Sequence, residues 1–154
     1  MKLIIQIPCY NEEKSLPVTL ADLPKSIEGI DEIEVLIIND GSTDNTVDIA
    51  LQNGVNHIVN FKTNKGLARA FEAGIEKCIE LGADIIVNTD ADNQYYGPDI
   101  VKLVTPILQG KADVVVGNRQ TSKIKHFSKS KKILQYFGSF LVRQLSDTDV
   151  ADAV

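Results

Sequence analysis

Short apolar runs rich in Ile and Val punctuate the chain at 3–7, 33–38, 55–59, 84–87 and 113–116. Each is too short for a typical helix and too continuously apolar for a strand with one wet face, so the runs predict parallel strands buried on both sides. Between them, apolar positions recur at helical spacing over 12–27, 44–53, 66–81 and 98–109, with Pro98 placed for a first turn and Gly82 just past a helix end. Strands alternating with helices predict an α/β fold with a mainly parallel sheet flanked by helices. No repeat, linker or low-complexity stretch interrupts the pattern, so residues 1–154 read as one domain.

Polar clusters follow the apolar runs. Pro8-Cys9-Tyr10-Asn11-Glu12 follows the first, Asn39 to Asp44 the second, Asp90 to Gln94 the fourth and Gly117-Asn118-Arg119 the fifth. Open parallel sheets bind ligands at the carboxyl ends of their strands, which is where these clusters would lie. Each alone also fits an ordinary turn, since Asn, Asp and Gly favour turns, but four in phase with the strands point to a shared site. The most specific is Asp90-Ala91-Asp92: two carboxylates leaving one strand end are suitable ligands for a hard divalent cation such as Mg2+ or Mn2+. Asp44, just before a helix expected over 45–53, is expected to be its cap.

Composition narrows the classes. A net charge of −5 with 44% hydrophobic residues describes an ordinary soluble domain and argues against broad nucleic-acid binding. A local basic stretch stands out: Arg119, Lys123, Lys125, Lys129, Lys131 and Lys132 fall within 119–132 with no acid among them. Cys9 and Cys78 suggest neither a disulfide framework nor a metal cage, and a reducing, cytoplasmic compartment fits them. No apolar run approaches the length of a membrane span. His57 reads as a packing residue; His126 lies in the basic stretch, and neither histidine has a Ser or Cys partner for nucleophilic catalysis.

Taken together, IPCYNEE at 7–13, NDGSTDNT at 39–46, NKGLARA at 64–70, DADNQ at 90–94 and GNR at 117–119 resemble the nucleotide-sugar-binding half of family 2 glycosyltransferases with the Rossmann-like GT-A fold. The resemblance is greatest to polyprenyl-phosphate enzymes of the dolichyl-phosphate mannose synthase kind. It implies that Pro8, Tyr10, Glu12 and Asp40 hold the nucleotide, with Asp90, Ala91 and Asp92 at the diphosphate. It also implies that Asp90, Asp92 and Gln94 surround the metal, and that Asp92 and Arg119 are the catalytic residues. Arg119, Lys131 and Gln135 correspond to the acceptor-binding positions, and a polyprenyl-phosphate acceptor implies work at the membrane surface. Asn39 stands where many relatives have an acid, so the base is left open. Lys65, ahead of a helix start, is a weaker anion-binding candidate than Arg119.

The implied activity is inverting, metal-dependent transfer of a sugar from a nucleotide-diphosphate sugar to that acceptor. Alternatives are a nucleotide-sugar-binding module without turnover and a transferase acting on a saccharide hydroxyl, which would need a general base. Asp147, Asp149 and Asp152 are the tail acids available for that task. A sugar nucleotidyltransferase would want a Gly-rich loop after the first strand, where this chain has Cys9-Tyr10-Asn11. Family catalytic domains run further on the acceptor side, so the fold is expected to be truncated there.

Overall fold

The structure, a computed structural model, describes residues 1–118. Its elements alternate along the chain: β1 (Lys2–Cys9), α1 (Leu16–Asp22), β2 (Glu32–Asn39), α2 (Thr46–Gln52), β3 (His57–Asn60), α3 (Leu67–Glu80), β4 (Ile85–Asn88), a 3-10 turn (Gly97–Asp99) and α4 (Ile100–Leu108). The sheet order is β3-β2-β1-β4 and every neighbouring pair is parallel. The strand order therefore reverses between β1 and β4, which creates the crevice where such sheets bind ligands.

Both faces of the sheet are buried, which explains why the runs are apolar on both alternating sets of positions. Leu3, Ile5, Ile7 and Cys9 of β1 join Leu16 and Leu20 of α1, Ala50 of α2, and Ile100 and Val104 of α4 in one cluster. Ile4, Leu36 and Ile38 point the other way, into a smaller cluster with Ala70 and Cys78 of α3. Gln6 breaks the apolar pattern of β1: it is fully buried, and its Nε2 donates to Asn88 Oδ1 at 3.2 Å. Its Oε1 has no conventional hydrogen-bond partner among the described residues and faces Gly74 of α3, where a Cβ would lie 2.0 Å away. Gly74 thus lets the helix settle onto the strand, with a Cα–H toward the amide oxygen.

The first helix is shorter than expected, covering Leu16–Asp22 rather than 12–27. Leu23 is extended (φ −65°, ψ 142°) because it precedes Pro24, whose ring disfavours a helical residue before it. The expected fifth strand is also absent: residues 113–118 carry no strand, and Val114 and Val116 are exposed. Branched residues favour a strand only where an edge supplies partners, so apolar content alone does not make a strand of this run. Met1–Ala112 forms one compact unit and Asp113 opens another, of which residues 113–118 are described. No helix among the described residues is long and apolar enough to cross a membrane.

The amino end of the sheet carries its own charge cluster. Glu34 Oε2 lies 2.7 Å from Lys2 Nζ and 2.9 Å from His57 Nε2. Burial pushes the Glu34 carboxyl up, but the bonds from Lys2 and His57 outweigh it and hold the group below its ordinary value. A lowered folded-state value stabilises the fold at pH above the unfolded carboxylate range and is lost as pH falls through that lowered value. Urea unfolding between pH 6 and 3 should therefore show a smaller acid loss for Glu34→Gln than for the native chain, from a lower starting stability; parallel curves would contradict the assignment.

Candidate functional site

The loops after β1 and β2 are bound into one structure. Asn11 adopts the left-handed conformation (φ 58°), which Asn tolerates better than most side chains. Its N–H donates to Ser42 Oγ at 2.9 Å, while its Oδ1 accepts from Thr43 N at 2.8 Å. Glu13 and Asp44 repeat this reciprocity: Glu13 N donates to Asp44 Oδ2 at 3.1 Å, and Glu13 Oε2 accepts from Asn45 N at 3.1 Å. Glu12 N donates to Thr46 Oγ1 at 2.8 Å. Asp44 also accepts the Thr46 N–H at 3.0 Å, but the N-cap of α2 is Asn45, so Asp44 braces the first helical amide from one residue before the cap rather than serving as the cap expected from the sequence. Burial raises its carboxyl, yet the bonds from Thr46 and Glu13 bring it below the usual range, so it stays ionised.

A third segment is fixed by Asp40. The carboxylate is 4% exposed, and its two oxygens accept from Lys65 N at 2.7 Å and Gly66 N at 2.9 Å. Asp40 therefore supplies the negative charge at the start of α3, the place where Lys65 and Gly66 suggested an external anion. Lys65 Nζ instead lies 4.4 Å from the centre of the Phe61 ring. Each Asp40 oxygen keeps a second lone pair, so a ligand hydroxyl remains within its capacity. Gly41 (φ 73°) is equally constrained, because a Cβ there would meet Thr63 C at 2.4 Å and Asn64 N at 2.5 Å.

Of the residues expected at a nucleotide, Pro8 is half-buried in β1, Tyr10 is 48% exposed just beyond it, and the Glu12 carboxylate accepts from Ser15 Oγ. An exposed ring beside a hydrogen-bonded loop is a surface on which a flat base can stack. Asp90 and Ala91 leave the neighbouring strand β4, so their turn flanks the same crevice. Asp90 is half-buried, Asp92 and Gln94 are exposed, and Asp92 Oδ1 accepts from Gln94 N at 3.1 Å. The donors of this turn are all oxygens, as a hard cation requires. Among the described residues no three His, Cys, Asp or Glu side chains gather as a protein cage. One or two carboxylates completed by phosphate oxygens and water are the ordinary setting for magnesium, so the turn fits a metal shared with a diphosphate.

The remaining candidates divide clearly. Gly117 and Asn118 are exposed in the second unit, while Arg119, Lys131 and Gln135, together with His126 and the tail acids, lie outside the described residues. Neither cysteine is a nucleophile: burial pushes the Cys9 thiol up to about 12 and the Cys78 thiol up to about 11. Reading the sequence did not single out Asn11, Glu13, Ser42 or Thr19 as organisers of the site. Asn two residues past a strand end was the one visible signal, since Asn readily takes a left-handed turn.

A parallel sheet with helices on both faces and hydrogen-bonded acidic and amide-rich loops at the carboxyl ends of β1, β2 and β4 defines a doubly wound α/β domain whose ligands bind at that edge. The profile described as Glycosyl transferase family 2 matches residues 4–153, and the chain belongs to that family. It is 30% identical over 158 residues to the undecaprenyl-phosphate mannosyltransferase of Micrococcus luteus, covering 99% of this chain and 63% of that protein. It is 32% identical over 165 residues to the UDP-N-acetylglucosamine--dolichyl-phosphate N-acetylglucosaminyltransferase of Methanococcus voltae, covering 96% and 64%. The chain thus spans less than two thirds of either relative. Among solved structures, glucosyl-3-phosphoglycerate synthase from Mycobacterium tuberculosis in complex with uridine diphosphate aligns with a TM-score of 0.54 at 25% identity, covering 71% of this chain and 41% of that one. The same synthase with Mn2+, uridine diphosphate and glucosyl-3-phosphoglycerate gives 0.56 at 22% identity, covering 70% and 39%. The fold is the Rossmann-like GT-A type expected from the sequence.

Proposed function

We propose that the protein is an inverting glycosyltransferase that moves a sugar from a nucleotide-diphosphate sugar to a polyprenyl phosphate with the help of Mg2+ or Mn2+. The observation that carries the reading is the crevice between β1 and β4, with the braced Tyr10 loop on one side and the Asp90-Ala91-Asp92 turn on the other. The names of the Micrococcus and Methanococcus relatives support the acceptor class, and the uridine diphosphate complex of the Mycobacterium synthase supports the donor class.

Each residue then has a chemical task. Tyr10 offers its face to the base, while Pro8 shapes the loop entry and Glu12 and Asp40 direct hydrogen bonds toward base or ribose. Asp90 and Asp92, with Gln94 beside them and Ala91 between, would hold the metal, which when bound neutralises charge growing on the departing diphosphate. The acceptor phosphate oxygen attacks the anomeric carbon opposite the diphosphate, the new C–O bond forms as the old one breaks, and the electron pair leaves with the diphosphate. An ionised phosphate needs no general base for this step. Arg119, Lys131 and Gln135 are assigned to that phosphate from the sequence; a guanidinium binds phosphate oxygens in a bidentate fork. The work is done at the membrane surface because the acceptor's lipid resides there.

Transfer from a panel of nucleotide sugars to a short polyprenyl phosphate tests the reading. Arg119→Ala should reduce transfer by on the order of a hundredfold, the scale of losing a preorganised charge contact, with donor affinity little changed. Loss of donor binding in Arg119→Ala with unchanged acceptor dependence would move Arg119 to the donor phosphates. Binding of nucleotide sugar with no transfer to any phosphate or hydroxyl acceptor would leave a binding module.

A further inference from the structure

We propose that Thr19 is a positioning residue for the metal-bearing turn, acting from α1 through the peptide between the two aspartates. Its hydroxyl donates to the Ala91 carbonyl at 2.8 Å, across 72 residues of sequence, and both residues are buried, at 4% and 3% exposed. A threonine inside a helix ordinarily donates back to its own helix; here the Ser15 carbonyl lies farther away, at 3.3 Å, and the cross-chain bond is the shorter. Ala91 is the only residue between Asp90 and Asp92, and its carbonyl belongs to the peptide that leads into Asp92, so fixing it orients the backbone of Asp92 directly and that of Asp90 through the one residue between them.

A second tether acts on the same loop one helical turn later. Gly97 lies so close to the end of α1 that a Cβ would sit 2.3 Å from the Asp22 carbonyl oxygen. The loop from 90 to 97 is therefore seated on α1 at Thr19 and again at Asp22. The start of α1 is joined to the other side of the crevice, where Leu16 N donates to the Glu12 carbonyl at 2.9 Å. One short helix thus sets the Glu12 loop and the aspartate turn relative to each other, and Thr19 is its polar contact with the second.

The inference rests on the reading of Asp90 and Asp92 as the metal pair. The test is Mn2+ titration of the folded protein in the presence of uridine diphosphate, followed by water proton relaxation, with native, Thr19→Val and Thr19→Ser compared. Valine keeps the shape and removes the donor, and should weaken Mn2+ binding about tenfold or more, the scale seen when partners of metal ligands are lost; serine should stay within about twofold of native. A purely structural role would lower thermal stability in Thr19→Val and leave Mn2+ affinity unchanged, which would overturn the proposal while the metal reading stands. Absence of Mn2+ binding in the native protein would overturn both. If Thr19→Val does not fold, Thr19→Ala is read by the same criteria.

Discussion

Gly41→Ala should lower stability by roughly 3 kcal/mol or more and abolish nucleotide binding at concentrations where the native chain is saturated. Two costs combine at this position. The left-handed φ of 73° penalises any side chain, and the added Cβ would press on the Thr63–Asn64 backbone at 2.4–2.5 Å. That backbone has no room to withdraw, because the Asp40 carboxylate holds the following Lys65 and Gly66 amides. Urea unfolding measures the first effect and calorimetry with uridine diphosphate the second. A variant as stable as native would show that the 61–66 segment is not packed on the turn.

Asp40→Ala should cost about 2–4 kcal/mol, because it removes two charge-assisted hydrogen bonds and strands two partly buried amides at the start of a 14-residue helix. Asp40→Asn should fall between, since an amide retains one accepting oxygen but turns an N–H2 group toward a second donor. Chemical denaturation of the three proteins gives the order directly. Equal losses in Asn and Ala would mean that charge dominates over acceptor geometry, and no loss in either would show that the carboxylate does not anchor α3. The family resemblance pointed to Asp40 as a nucleotide ligand, and the structure adds an anchoring task that burial and the two amide bonds make explicit.

The strands were legible because short runs rich in Ile and Val recur between helical stretches, and those of β1, β2 and β4 end in polar clusters; β1, β2, β3 and β4 all overlap such runs. Helix ends were less so. The stop after Asp22 is written in Pro24, but the apolar spacing beyond it is compatible with a longer helix until the restriction on Leu23 is considered. The valines at 113–116 carried strand propensity without a partner, and pairing depends on an edge far away in sequence. The same reason hid the interior of the site. Motifs placed Tyr10, Asp40, Asp90 and Asp92 at strand ends, whereas the bonds from Asn11 to Ser42 and Thr43, and from Thr19 to Ala91, join positions about 30 and 72 residues apart. Spacing within one element cannot show such contacts, because they arise only when the strands pair.

In the proposed function a nucleotide diphosphate and a divalent cation share the crevice between β1 and β4. Calorimetric titration of uridine diphosphate, with and without Mn2+, into the native protein and Asp92→Asn tests it most directly. Mn2+ should tighten binding to the native protein, and Asp92→Asn should lose most of that gain, while its unliganded thermal stability moves little because the side chain is exposed. Equal affinity with and without Mn2+ in the native protein would contradict it.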